Sequence, residues 1–275
     1  MRADATEGSE DPDAPAPGRA WRILLVGAGA LGSSIALGLA AMPAVKLAVF
    51  DVDLRRSREL AQRAGAAAPD VLDNALQEAD LVIEAASQEA LRQLAPRVLG
   101  RGRPLIALSS GALVDDAFLA DVARLASERG GRLYVPSGAI GALDAIRAAM
   151  EAGLDEVTLV TAKPPAGFGL SDVREPRVLY DGPAREAVKL YPKNVNVAAA
   201  LSLAGIGFDR TRVRIVADPA LTANTHTIEA RGAFGALTFR VENRPSPDNP
   251  ASSHLASLAA LALVRRLLAP VTVGT

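Results

Sequence analysis

Apolar residues fall into short unbroken runs in the first half of this chain and into alternating strings in the second. "ILLV" (Ile23 to Val26) is short and wholly apolar, as a strand buried on both faces would be. The Ala/Leu/Ile stretch "ALGSSIALGLAAM" follows and predicts a helix. The rhythm recurs in "VKLAVFDVD", in "ADLVIEAAS" before "QEALRQLAPRVLG", and in "RPLIALSSGAL" before "DDAFLADVARLASERG". "GRLYVPSGAIGALDAIRAAM" repeats it once more. Strands alternating with helices predict a parallel sheet with helices on its faces.

After about residue 150 the rhythm changes. "DEVTLVTAKPP" predicts a strand, and "PAREAVKLYPKNVNVAAALSLAGIG" two helical pieces. Pro192 opens the second piece, where its missing N–H costs nothing. "TRVRIVADP", "TANTHTIEARG" and "GALTFRVEN" then read as consecutive strands, the last two joined by the hairpin turn "GAFG". These features predict a second, α+β domain with a mixed or antiparallel sheet. "HLASLAALALVRRLLAP" reads as an amphipathic terminal helix. The expected division is a disordered tail over residues 1–19, a first domain over 20–136 with the terminal helix 251–275 packed back on it, and a second domain over 137–250. The tail is acidic and Pro/Ala-rich, with too little apolar surface to offset the entropy of ordering.

Composition narrows the chemistry. A formal net charge of −1 gives no bulk attraction for nucleic acid. No cysteine is present, which removes disulfides, thiolate catalysis and thiolate metal sites, and two histidines without HExxH-type spacing argue against a metal site. The start lacks a secretion signal, and no apolar run reaches the ~18 residues of a membrane span, so a soluble cytoplasmic protein is expected.

Gly27, Gly29 and Gly32 give G-x-G-x-x-G between the first strand and its helix. The first glycine permits the tight turn, the second lets a pyrophosphate approach the backbone, and the third lets helix and strand pack closely. Together with Ala30 and Leu31, the loop presents helix N-terminal N–H groups to the phosphates. Asp51, 19 residues past Gly32, stands where a carboxylate binds the adenosine ribose. The first domain is thus expected to be a Rossmann-type, doubly wound dinucleotide-binding domain of the α/β class. Asp51 favours NAD, since a carboxylate repels a 2′-phosphate; Arg55 and Arg56 just downstream keep NADP as the alternative. Later strands end in small or polar residues, including Ala86 after the third and Ala139 after the fifth, which would let a flat nicotinamide approach the backbone. Glu84 at one such end reads equally as a ligand-orienting or a structural group.

Alternation places Asn224, His226, Ile228 and Ala230 on one strand face, with Thr225, Thr227, Glu229 and Arg231 on the other. His226 shares the apolar face, and alternation alone leaves catalysis and core packing open. Lys193 and Asn196, three apart at the start of an otherwise apolar helix, share one helix face and are candidates for a ligand or for capping.

Several segments together resemble the L-aspartate dehydrogenase family: "GAGALGSS", "VPSGAIGALDAI", "KPP", "YPKNVNVAAALSLAGIGFDRTRVRIVADPAL", "NTHTIEARGAFG" and "NPASS". The resemblance implies NAD(P)-dependent oxidation of L-aspartate to iminoaspartate, which hydrolyses to oxaloacetate and ammonia or feeds NAD biosynthesis. It implies that His226 is the active-site histidine, that Ala139 and Asn196 contact the cofactor, and that the chain forms a homodimer or higher homo-oligomer through the second sheet. Two departures stand out. An Arg-Lys-Pro-Pro segment is here "AKPP", which keeps Lys163, and Asn-Pro-Lys-Thr-Ser is here "NPASS", with Ala251 at the lysine.

Oxidising an α-amino acid removes a hydride from Cα and a proton from the ammonium. An unperturbed imidazole titrates near working pH, so His226 is the expected acid/base. Lys163 and Lys193 are the candidate partners for the substrate carboxylates. The alternatives are a dehydrogenase of another amino or imino acid, a non-catalytic NAD-sensing or scaffold protein, and a polyol oxidoreductase. The last would more usually carry Glu-Lys-Pro where this chain has "EAAS".

Overall fold

The computed structural model describes residues 19–191, 196–246 and 249–274. Residues 1–18 of the expected tail, together with Pro192 and Lys193, lie outside the described residues. Five parallel strands, β1 (Trp21–Val26), β2 (Val45–Phe50), β3 (Leu81–Glu84), β4 (Leu105–Ala107) and β5 (Leu133–Tyr134), stand in the order β2-β1-β3-β4-β5. The chain leaves β1 toward β2 and returns to β3 on the opposite side, so a crevice opens between β1 and β3 at their carboxyl ends. Helices α1 (Ala30–Ala40), α2 (Leu54–Ala64), α3 (Leu72–Glu78), α4 (Gln88–Leu99) and α5 (Asp116–Arg129) connect the strands. Separate apolar clusters lie on the two faces of the sheet, which is why β1, β3 and β4 are apolar almost throughout. The short helix α3 is not among the predicted elements; its seven residues are too few for a clear periodicity.

Helix α6 (Leu143–Ala152) continues the sequence rhythm but packs beneath a second sheet. That sheet holds β6 (Leu154–Lys163), β7 (Arg177–Pro183), β8 (Arg212–Ala217), β9 (Asn224–Gly232) and β10 (Gly235–Asn243), in the order β10-β9-β6-β8-β7. It is mixed: β6 runs parallel to β8 and antiparallel to β9. The hairpin turn between β9 and β10 falls at Ala233 and Phe234, inside the predicted "GAFG". Helices α7 (Ala184–Leu190) and α8 (Asn196–Ala204) join α6 on one face, burying Leu159, Ile215 and Ile228 against Ile146, Ala187 and Leu201. Strand β7 is likewise absent from the prediction, because an edge strand with only Val178, Leu179 and Tyr180 apolar shows no usable alternation.

Two short strands, β11 (Pro245–Ser246) and β12 (Asn249–Ser253), precede α9 (His254–Leu268). The terminal helix is therefore shorter than the expected 251–275: residues 251–253 belong to β12, and the helix stops at Leu268. α9 packs on the first domain, burying Ala260 and Val264 with Ile35 and Leu39, and Ser34 Oγ donates to Ser257 Oγ at 2.9 Å.

The glycine turn shows why its spacing matters. A Cβ on Gly32 would lie 2.0 Å from the Gly27 carbonyl oxygen, and one on Gly27 would lie 2.5 Å from the Ala85 carbonyl oxygen. Both obstacles are backbone, so neither can swing aside. Gly32→Ala is expected to lower unfolding stability by roughly 1–3 kcal/mol, the cost of overpacking a close-packed site; equilibrium denaturation that leaves stability unchanged would contradict this packing.

Candidate active site

The carboxyl ends of the first sheet face the Lys163 end of the second across a cleft of about 850 Å³. From the first domain its lining includes Leu31, Ala86 and Ser109; from the second, Ala139, Lys163, Asn196 and His226. The apolar face that alternation assigned to His226 continues as the wall of this cleft. His226 is 3% exposed, and Ile228 and Ala230 behind it enter the core.

The first-domain side suits a dinucleotide. Unlike Gly27 and Gly32, Gly29 could carry a Cβ with nothing within 4 Å of it, so space is open where a pyrophosphate would approach. Gly29 caps α1 without a side-chain bond, and the first turn of α1 carries no acid, leaving its N–H dipoles available to phosphate. Asp51 is held at the end of β2 by N–H groups of Ala28 (2.7 Å) and Asp53 (2.9 Å), with lone pairs to spare for ribose hydroxyls. Arg55 and Arg56, the residues that kept NADP open, both lie beside the Asp53 carboxylate, at 3.2 and 3.7 Å.

Glu84 is structural in its contacts. Its carboxylate accepts from the N–H of Ala86 (2.8 Å) and from Ser109 N–H (3.0 Å) and Oγ (2.8 Å), tying together the loops after β3 and β4. Burial pushes its carboxyl above the ordinary range, against the pull of these bonds.

Polar contacts join the two sides. Gly111 N–H donates to Asn196 Oδ1 and Ser110 Oγ to the Asn196 carbonyl, both at 3.0 Å. Within the second domain, Asn243 Nδ2 donates to the Ala139 carbonyl at 2.9 Å, tying the end of β10 to the loop after β5. Farther out, Arg185 on α7 holds the Val114 carbonyl (2.7 Å), Asp116 (3.2 Å) and Asp209 (2.8 Å). Asn196 thus spends its side-chain oxygen and its carbonyl on the domain junction.

Lys163 and His226 are among the residues expected from the sequence; their neighbour Thr161 is not. Thr161, 2% exposed, stands opposite His226 in the β6–β9 register, with Oγ1 3.0 Å from His226 Nδ1. Alternation along β6 puts Thr161 and Lys163 on the cleft side and Ala162 on the other. Ala162 therefore faces away from the cleft. Lys163 is 7% exposed, with Nζ 5.9 Å from the centre of the Phe168 ring.

Burial changes the acid–base picture. The expectation of an unperturbed imidazole fails: desolvation, helped by the Lys163 charge, pushes His226 down to about 4. Desolvation also lowers Lys163 to about 8. At neutral pH the histidine is neutral and the lysine is within reach of its own titration.

A histidine whose folded pKa lies below its unfolded 6.5 adds stability that is complete above that pH and lost as pH falls toward 4. The wild-type thermal midpoint is expected to fall more steeply between these pH values than that of His226→Gln; equal slopes would contradict the buried neutral imidazole. Gly29→Ala is expected to stay within about 1 kcal/mol of wild-type stability while weakening NAD binding in a calorimetric titration. Unchanged affinity would remove the pyrophosphate from that loop.

The chain matches two family models, aspartate dehydrogenase, C-terminal over residues 144–267 and homoserine dehydrogenase, NAD binding domain over residues 27–136. It is similar to L-aspartate dehydrogenase of Methanosarcina barkeri, 46% identical over 74% of this chain and 79% of the relative. With the Methanosarcina acetivorans L-aspartate dehydrogenase the identity is 41%, over 92% of this chain and 99% of the relative. The solved aspartate dehydrogenase of Thermotoga maritima superposes with a TM-score of 0.78 at 29% identity, covering 92% of this chain and 99% of its own. Glycine turn, two-sheet cleft and sequence agree, and the chain belongs to the L-aspartate dehydrogenase family.

Proposed function

We propose that this protein oxidises L-aspartate to iminoaspartate with NAD as acceptor, water then giving oxaloacetate and ammonia, and that the imine also serves NAD biosynthesis. The observation that carries this reading is the meeting of Gly29, Ala86 and Ala139 with Lys163 and His226 around one cleft. In it, residues 20–136 with the terminal helix form the dinucleotide-binding domain and residues 137–250 the substrate domain, which lends Ala139 and Asn196 to the cofactor. The backbone from Gly27 through Gly29, Ala30 and Leu31 to Gly32 cradles the pyrophosphate. Asp51 takes the adenosine ribose, and Ala86, Ala139 and the Asn196 amide flank the nicotinamide. When bound, the nicotinamide supplies the acceptor for the Cα hydride.

His226 and Lys163 meet the reacting end of the substrate, and Lys193 is assigned to a carboxylate. Asp51 and the pairing of Arg55 and Arg56 with Asp53 favour NAD over NADP. The protein acts in the cytoplasm; no helix among the described residues is long and apolar enough to cross a membrane. The outer face of the second sheet sets the half-buried Thr158, Val160, Ala162 and Thr227 among the charged Arg212, Arg214, Glu229 and Arg231, and it is assigned to pairing in a homodimer or higher homo-oligomer. Sedimentation reads its mass, and a monomer at working concentration would sink that assignment.

Following nicotinamide reduction with a panel of amino and hydroxy acids, NAD and NADP in turn, tests the reading. Reduction is expected with L-aspartate. Reduction only with another amino acid would tie the altered "NPASS" segment to a changed substrate, and binding without turnover would support a sensor. His226→Ala should lower kcat by roughly 100-fold or more with NAD affinity nearly unchanged; a loss of thermal stability alone would make the histidine structural.

A further inference from the structure

The contact between Thr161 and His226 has a direction that the proton inventory fixes. A threonine hydroxyl has one proton to donate, and a neutral imidazole has one N–H and one bare nitrogen. Were Nδ1 the protonated nitrogen, it would donate to Oγ1, and the Thr161 O–H would need another acceptor. Among the described residues the bonding partner of this hydroxyl is His226 Nδ1. With Thr161 2% exposed, an O–H left without an acceptor costs about 1–3 kcal/mol. The reverse arrangement leaves no donor stranded: Thr161 O–H donates to a bare Nδ1, and the imidazole proton sits on Nε2. Cross-strand register holds the pair in place, with Thr161 on β6 and Val241 on β10 flanking His226.

We propose that Thr161 is the positioning residue of this site: it holds His226 as the neutral Nε2–H tautomer, a hydrogen-bond donor, and leaves Lys163 as the proton acceptor. This rests on the aspartate-oxidation reading and deepens it by dividing the roles. An imidazole with Nε2–H facing the ligand has no lone pair there to accept a proton. It donates instead to a substrate oxygen, as a neutral polarising group does. The remaining basic side chain lining the cleft among the described residues is Lys163, on the same face of β6 as Thr161. The other ionisable group lining it is Glu89, on α4, while Glu84 is bonded beneath the strand ends. One proton moves from the substrate ammonium to the lone pair of the neutral Lys163 amine. The nitrogen pair so released forms the C=N bond as Cα gives up its hydride, and charge balances.

Two histidines make this directly readable. In the full-length protein labelled with ¹⁵N-histidine, long-range ¹H–¹⁵N spectra distinguish the tautomers, and His226→Gln assigns the signals. The wild type is expected to show His226 as Nε2–H, without titrating, from about pH 5.5 to 9. A proton on Nδ1, or a midpoint near the ordinary histidine value, would overturn the proposal whether or not the protein turns over aspartate. Thr161→Val is expected to abolish the single tautomer and lower kcat roughly 10-fold or more, with NAD affinity unchanged, and Thr161→Ser to restore both. A Thr161→Val protein that keeps tautomer and kcat while losing only stability would make Thr161 structural. kcat/KM for aspartate should rise with pH through about 8, and Lys163→Met should remove that limb; a limb that survives the substitution would assign the proton elsewhere.

Discussion

A site shared by two domains works only if the domains are held in register, and here polar groups that cross the junction set that register. Asn196 lends its side-chain oxygen to Gly111 N–H and its carbonyl to Ser110, so the start of α8 is fastened to the loop after β4. Arg185 on α7 does the same farther out by donating to the Val114 carbonyl. Such bonds contribute about 1 kcal/mol each to stability, but their geometric effect is larger. Without them the wall bearing Lys163 and His226 would have no fixed distance from the strand ends where a nicotinamide fits. The return of α9 onto α1 closes the same arrangement from the other side.

Burial is the second constraint, and it decides the chemistry. The side chains that line the second-sheet wall are nearly dry, so charge is disfavoured on both His226 and Lys163. The outcome is a neutral imidazole and a lysine poised close to working pH, the reverse of what these residue types do in water. A dicarboxylate with an ammonium group brings its own charges into this space. The lysine can answer them in either protonation state, while the histidine offers only a directed hydrogen bond.

Much of this is legible in the sequence. The G-x-G-x-x-G turn between an apolar strand and a helix predicts the packing seen at Gly27 and Gly32, because that packing is local and depends on spacing. Period-two alternation puts His226 on the buried face for the same reason. What the sequence does not carry is long-range. The Thr161–His226 pair spans 65 residues and the Asn196–Gly111 contact 85, and neither leaves a pattern in either segment. The unperturbed imidazole is a mistaken expectation because a pKa depends on solvent access, which strand alternation only hints at. The edge strand β7 escapes notice because its apolar residues are few and half exposed. Alternation along β6 also sets Ala162 on the face opposite to Lys163, away from the cleft.

The central claim is that this cleft passes the Cα hydride of aspartate to a bound nicotinamide. Incubation of the protein with L-[2-²H]aspartate and NAD, followed by mass analysis of the recovered dinucleotide, tests it without reference to any variant. One deuterium on the reduced nicotinamide ring is expected for each aspartate consumed. Aspartate consumed with no deuterium in the cofactor, or dinucleotide bound and returned unlabelled with aspartate intact, would contradict it.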